Sequence, residues 1–96
     1  MPDQTELSII IVTWNSENEI DNCLTSIIEN TKDLNYEIVI VDNNSSDGTV
    51  KVIRESVEEK FHRIKVILNN DNKGFTKACN QGILSSGGEN VLFLNP

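Results

Sequence analysis

The chain alternates between two kinds of apolar pattern. Short runs rich in β-branched and large apolar residues are typical of strands that are covered on both faces of a sheet. Four such runs occur, at residues 7–12, 38–41, 66–68 and 91–94. We therefore predict four buried strands.

Three segments between these runs have helical spacing. The first helix is indicated by an apolar stripe, and we predict a capping box of Ser16 and Glu19 before it. Its stripe consists of Ile20, Cys23, Leu24, Ile27 and Ile28.

A second helix should follow Asp47, whose carboxylate we expect to cap it, and should end near His62. Its inner face would carry Val50, Ile53, Val57 and Phe61. The third helix has a narrow inner face of Phe75, Ala78, Cys79, Gly82 and Ile83, and Gly87-Gly88 should break it.

The predicted order is β-α-β-α-β-α-β. Connections long enough for crossover helices imply a mostly parallel four-stranded sheet with helices on its faces. The fold class is therefore α/β and Rossmann-like.

Composition narrows the function classes. The 96 residues are too few for two domains, and 30 of them are Ile, Leu, Val or Phe, enough for a folded core. A net charge of −7 opposes binding to nucleic acid or anionic lipid. The N-terminus lacks the basic start of a signal peptide and no stretch is long enough to span a membrane, so we expect a cytoplasmic protein. Cys23 and Cys79 should be reduced.

Polar residues follow each predicted strand, at the sheet edge where open α/β folds bind ligands. Asp42 could accept a hydrogen bond from a ribose hydroxyl or a base N–H, or could cap the next turn. Trp14 could stack on a base or shield the sheet edge, and Lys73 could contact a phosphate or base carbonyl or remain solvated. His62 has no apparent partner and no catalytic role.

Two nucleotide-binding classes are excluded by the turn after the first strand. It reads Thr13-Trp14-Asn15-Ser16-Glu17-Asn18, without the Gly-x-Gly-x-x-Gly run of dinucleotide-binding dehydrogenases. The Gly-Lys-Ser/Thr ending of a Walker loop is also absent.

Several blocks together resemble the nucleotide-binding half of family-2 glycosyltransferases. The resemblance covers essentially the whole chain, and the ending Asn95-Pro96 is similar to the rhamnosyltransferase-like branch. The blocks are Ser8-Ile9-Ile10-Ile11-Val12-Thr13-Trp14-Asn15, Ile40-Val41-Asp42-Asn43-Asn44-Ser45-Ser46-Asp47-Gly48-Thr49, Asn72-Lys73-Gly74-Phe75 with Ala78, Asn80 and Gly82, and Leu92-Phe93-Leu94-Asn95-Pro96.

The resemblance implies the N-terminal part of a GT-A fold, an enzyme that moves a sugar from a UDP- or dTDP-linked donor to an acceptor hydroxyl with inversion. Residues 1–96 would form one truncated nucleotide-sugar-binding domain. The implied nucleotide-binding residues are Thr13, Trp14, Asn15, Asp42, Lys73, Gly74 and Asn95, with Asp42 holding the base.

Two departures from the family pattern matter. Trp14 stands where tyrosine or phenylalanine is common. The Asp-x-Asp motif that binds Mn²⁺ or Mg²⁺ in the complete enzyme begins here with Asn95-Pro96, so we expect no metal ligand and no catalytic base in this chain. The chain alone should be inactive and a weak nucleotide binder, and surface exposed by truncation should favour a homodimer.

The complete enzyme would use a saccharide or lipid-linked acceptor, in polysaccharide or cell-surface glycan synthesis, and could sit peripherally at the inner face of the membrane. A stand-alone nucleotide-binding module and a non-catalytic interaction domain are the main alternatives. A nucleotidyltransferase is disfavoured, because no Gly-rich basic triphosphate loop lies near the N-terminus.

Overall fold

A computed structural model describes residues 4–59 and 63–96. The order of elements is the predicted one. The elements are β1 (Leu7–Thr13), α1 (Ile20–Asn30), β2 (Tyr36–Asp42), α2 (Thr49–Glu59), β3 (Ile64–Leu68), α3 (Phe75–Ser85) and β4 (Asn90–Phe93). The predicted helix end near His62 and the predicted packing of Phe61 lie outside the described residues.

The four strands form one sheet in the order β3-β2-β1-β4, and every neighbouring pair is parallel. The register places Thr13 opposite Asp42 and Leu7 opposite Asn90. The α/β, Rossmann-like prediction is therefore confirmed, with all strands parallel rather than most of them.

Helices cover both faces of the central strands. On one face, Ile9 and Ile11 of β1 pack in a core cluster with residues of α1, β2 and α2. On the other face, α3 packs against β1 and β2. Gly82 allows this close approach, because a Cβ at that position would lie 2.5 Å from Ile10 Cγ2.

The edge strands differ from the prediction of four buried strands. Val66 and Leu68 of β3 are exposed, as are Val91, Leu92 and Phe93 of β4. Three helices suffice to cover the two central strands but leave part of each edge strand open. An apolar run alone does not distinguish a covered strand from an edge strand.

The helix starts were predicted with mixed success. Asp47 Oδ1 accepts the Thr49 N–H at 3.0 Å, which confirms it as a cap for α2. The prediction of a capping box before α1 was wrong, because no side chain of the described residues caps the helix start at Glu19. Ser16 instead ties two loops together, since its N–H donates to Thr49 Oγ1 at 2.8 Å.

The predicted inner face of α3 was too wide. Ala78, Cys79 and Gly82 are buried, but Phe75 and Ile83 are exposed. The helix also ends at Ser85, before the two glycines that were expected to break it. Gly88 instead allows the chain to pass close to β1, because a Cβ at this position would lie 2.6 Å from both the backbone nitrogen and the hydroxyl of Ser8.

Both cysteines are free thiols, and burial raises the pKa of each. Neither is therefore activated as a nucleophile. Within residues 4–59 and 63–96, no helix has the length and apolar character needed to cross a membrane.

Candidate functional site

The carboxyl ends of all four strands meet along one side of the sheet, which we call the carboxyl edge. Backbone hydrogen bonds continue across it beyond the strands. Asn43 N–H donates to the Thr13 carbonyl and Asn69 N–H to the Asp42 carbonyl, both at 2.9 Å. The loops after β1, β2 and β3 are thereby held side by side, as the sequence predicted.

Asp42 lies at the centre of this edge and is only 1% exposed. Its Oδ1 accepts the hydroxyls of Thr13 at 2.7 Å and Ser45 at 2.6 Å, and its Oδ2 accepts the Ser45 N–H at 2.9 Å. A carboxylate offers about four acceptor positions, so these bonds leave roughly one without a partner among the described residues. The bond to the Ser45 N–H also shows that Asp42 caps the following turn, which was the alternative role predicted for it.

Thr13 and Asn15 have structural partners at this edge. Thr13 is fully buried, so its hydroxyl acts on Asp42 rather than reaching the surface. Asn15 has left-handed backbone, with φ of 50°, and its Oδ1 accepts the Ser46 N–H at 2.8 Å. Its own N–H donates to Ser45 Oγ at 2.8 Å. Asn15 therefore joins the loops after β1 and β2.

Trp14 is an exposed aromatic side chain at this edge, with 56% of its surface accessible. It lies between Thr13, which holds Asp42, and Asn15, which holds the neighbouring loop. An indole fixed at its backbone on both sides can stack on a planar ligand without first ordering the loop.

The turn after β3 brings Lys73 and Gly74 to the carboxyl edge. Gly74 has φ of 85°, a conformation that favours glycine, and directly precedes the first residue of α3. Its carbonyl accepts Asn43 Nδ2 at 3.2 Å. The Lys73 ammonium lies 3.0 Å from the exposed Asp71 carboxylate. Such exposed pairs are weak, so the ammonium can exchange Asp71 for a ligand anion.

Asn95 occupies a different flank of β1. Leu94 N–H donates to the Ile10 carbonyl at 3.0 Å, which extends the pairing of β4 with β1 to the residue before Asn95. Asn95 lines a cavity of about 610 Å³ between α1 and β4, together with Ile9, Cys23, Leu92 and Leu94. None of Trp14, Asp42 and Lys73 lines this cavity.

The sequence placed Asn43, Ser45 and Asn69 among the polar residues that follow the strands but indicated no role for them, and Gln81 was not predicted as part of the site. Asn43 and Asn69 are buried amides that directly follow β2 and β3. Their positions immediately after apolar strands were the available signal, but asparagine at a strand end is equally typical of a simple turn. Gln81 could not be recognised in the same way, because it lies within a helix and not directly after a strand.

The described residues do not fit a divalent metal. Carboxylate oxygens are the usual protein ligands of Mg²⁺ and Mn²⁺. In the described part of the chain, no group of three or more His, Cys, Asp or Glu side chains could hold a metal ion. After β4, where the resemblance places the first carboxylate, the chain has the Asn95 amide and Pro96.

Residues 8–96 match the profile described as Glycosyl transferase family 2. The chain belongs to this glycosyl transferase family. Glycosyltransferase AglE of Haloferax volcanii is 30% identical over 90 residues, which cover 93% of this chain and 29% of AglE.

Solved structures agree with the family 2 assignment. Mannosyltransferase PcManGT from Pyrobaculum calidifontis, in complex with GDP-Man and Mn²⁺, superposes with a TM-score of 0.87 at 25% identity, covering 96% of this chain and 27% of that one. S. aureus TarS 1-349 in complex with UDP-GlcNAc gives a TM-score of 0.80 at 33% identity, covering 94% and 26%. The expected GT-A fold is confirmed, and this family 2 chain spans less than a third of each of these proteins.

Proposed function

We propose that this chain forms the nucleotide-binding part of an inverting glycosyltransferase. The observation that carries the proposal is the Asp42 carboxylate, fixed by Thr13 and Ser45 at the carboxyl edge with about one acceptor position left. That position suits a base N–H or a ribose hydroxyl. Family 2 membership and the nucleotide sugars bound to PcManGT and TarS support the same assignment.

The exposed groups around the buried Asp42 have complementary roles in this proposal. Trp14 stacks on the base, and Lys73 neutralises part of the diphosphate or binds a base carbonyl. Asn15 holds the two loops in place. Asn95, two residues after β4, contacts the donor from the other flank of β1.

The reaction proposed for the complete enzyme is a single displacement. The acceptor hydroxyl oxygen forms a bond to the anomeric carbon while the bond to the diphosphate oxygen breaks. The nucleoside diphosphate leaves with the electron pair, and the hydroxyl proton passes to a general base. We expect Mn²⁺ or Mg²⁺ to take part in the complete enzyme, but the described residues only bind and orient the nucleotide. We therefore expect no transfer by this chain alone.

Finer features rest on the resemblance described above. The Asn95-Pro96 ending favours a rhamnosyltransferase-like enzyme with a UDP- or dTDP-linked donor. We propose a saccharide or lipid-linked acceptor, a role in polysaccharide or cell-surface glycan synthesis, and a site of action at the inner face of the membrane. We also propose that the open edge of β4 pairs with a second copy of this chain.

A non-catalytic interaction module is the second candidate. The observation that favours it is the engagement of Asp42 by three internal hydrogen bonds, which a purely structural carboxylate would also make. In that case the chain binds no nucleotide, and Asp42 contributes only to stability.

Titration calorimetry with UDP, dTDP and GDP, each with and without Mn²⁺, separates these candidates. We expect Asp42→Asn to weaken nucleotide binding at least about tenfold, because the amide presents a donor where the carboxylate accepts. Asp33→Asn, at an exposed carboxylate between α1 and β2, is the matched control and should leave nucleotide binding unchanged. Unchanged binding by Asp42→Asn would show that the assignment of Asp42 is wrong, and no binding by the wild type would favour the interaction module.

A further inference from the structure

Three amide side chains connect α3 to the turn that carries Lys73. Asn43 follows β2, Asn69 follows β3, and Gln81 lies in α3. We propose that this amide cluster (Asn43, Asn69 and Gln81) positions Lys73 for the donor nucleotide, with Gln81 as the positioning residue on which the cluster depends. The inference rests on the proposed function above.

The first part of the cluster is a reciprocal amide pair. Asn69 Nδ2 donates to Gln81 Oε1 at 2.8 Å, and Gln81 Nε2 donates back to Asn69 Oδ1 at 2.8 Å. Rotating either amide by half a turn would place nitrogen against nitrogen and oxygen against oxygen. Gln81 therefore fixes the orientation of the Asn69 side chain, which is 9% exposed.

The orientation of the Asn69 amide in turn determines that of the Asn43 amide. The Asn69 Nδ2 group also donates to Asn43 Oδ1 at 3.0 Å. Asn43 is 2% exposed, so water is not freely available to replace a lost partner. With its Oδ1 facing Asn69, Asn43 must direct its Nδ2 group elsewhere.

Asn43 then holds the backbone on both sides of the Lys73 side chain. Its Oδ1 accepts the Lys73 N–H at 3.4 Å, and its Nδ2 donates to the Gly74 carbonyl at 3.2 Å. Asn72 Oδ1 closes the same turn by accepting the Gly74 N–H at 2.8 Å. The Lys73 backbone is thus fixed, while its ammonium is held by the exposed Asp71 carboxylate. A lysine with a fixed backbone and a weakly paired ammonium can bind an incoming phosphate without first ordering the turn.

Gln81 can be changed without removing the packing of its helix. The buried face of α3 consists of Ala78, Cys79 and Gly82. Loss of the Gln81 amide should therefore loosen the turn at 70–74 and leave the docking of α3 in place. This distinguishes a positioning residue from a general contributor to stability.

The first test needs no ligand. Backbone ¹⁵N relaxation of the wild type should show residues 70–74 as ordered as the neighbouring strands. Gln81→Met should raise the mobility of this turn while leaving residues 38–41 unchanged. Gln81→Glu should give an intermediate result, because its carboxylate still accepts from Asn69 but cannot donate back. Asn80→Met, at the adjacent exposed amide, is the matched control, and an equally ordered turn in Gln81→Met would overturn the proposal.

The second test asks whether Gln81 acts through Lys73. We expect Gln81→Met to weaken binding of the nucleotide found to bind the wild type about fivefold to tenfold, and to have little further effect in a Lys73→Met background. Independent, multiplicative losses would overturn the link to Lys73. If the wild type binds no nucleotide, the proposed function fails, and the relaxation measurement alone decides whether the cluster orders the turn.

Discussion

At the residue scale, the two buried carboxylates of β2 are stabilised differently. Asp42, at the carboxyl edge, is held by hydroxyl and backbone donors. Glu37, near the other end of the strand, also faces a charge, because Lys65 Nζ lies 3.1 Å from its Oε1. Its Oε2 accepts the Ser8 hydroxyl and the Gly87 N–H, each at 2.6 Å. A buried carboxylate with this set of donors is stabilised as the anion.

Glu37 should make the stability of the protein depend on pH. Burial by itself raises the pKa of Glu37, but the hydrogen bonds from Gly87, Ser8 and Lys65 and the Lys65 charge outweigh it and hold the pKa below its ordinary value. A lowered folded-state pKa adds stability above the unfolded-state pKa, which is about 4.3 for glutamate. That stability is lost as the pH falls through the folded-state pKa.

We therefore expect Glu37→Gln to lower the free energy of unfolding at neutral pH by about 1–3 kcal/mol. Urea titrations from about pH 7 to about pH 3 should show a steeper loss of stability on acidification in the wild type than in this variant. Glu89→Gln, at an exposed carboxylate, serves as the control. Parallel pH profiles for the wild type and Glu37→Gln would contradict the role of Glu37.

At the element scale, the docking of α3 depends on the absence of a side chain at Gly82. A Cβ there would lie 2.5 Å from Ile10 Cγ2, so either the helix or the strand side chain must move. The overpacking should cost up to about 3 kcal/mol, whereas the higher helix propensity of alanine returns about 1 kcal/mol. We therefore expect Gly82→Ala to lower the free energy of unfolding in urea by about 1–2 kcal/mol net.

A double-mutant cycle with Ile10→Ala checks the contact. Removal of the Ile10 branches makes room for the new methyl group, so the double variant should lose less stability than the two single losses together. Thr76→Ala, at an exposed position of the same helix, is the control. Additive losses would mean that Gly82 matters for some reason other than its contact with Ile10.

An element could be predicted where its own residues carry an uninterrupted apolar pattern. The site could be predicted only in part, because several of its contacts depend on distant segments of the chain. The stripe beginning at Ile20 predicted α1, whereas β2 was predicted too short, because Glu37 interrupts the apolar run. The partners that allow Glu37 to be buried, Ser8, Lys65 and Gly87, come from three other segments of the chain. Asp42 was predicted at the carboxyl edge from its place after a strand. Its bond to Thr13 was not, because that bond depends on the register of β1 and β2.

At the scale of the whole molecule, the net charge opposes self-association, whereas the exposed apolar edge of the sheet favours it. The charge of −7 repels two copies of the chain, and this repulsion weakens as salt is added. The strand β4 is hydrogen-bonded only to β1 among the described strands, and Val91, Leu92 and Phe93 are exposed. It carries no charged residue, whereas the edge strand β3 carries Lys65. Lysine on an edge strand discourages pairing with another chain, so β4 is the edge on which self-association should occur.

We expect the chain to dimerise through β4 as its concentration rises, and more strongly at higher salt. Sedimentation equilibrium can measure both effects. Val91→Lys should weaken the dimer at least about tenfold, because an edge lysine opposes strand pairing. Val66→Lys on β3 is a matched control, since it gives a variant of identical composition with the added charge on the other edge. A wild type that stays monomeric at about 1 mM, or an equal effect of the two lysines, would contradict pairing through β4, because mass action favours even weak dimers at that concentration.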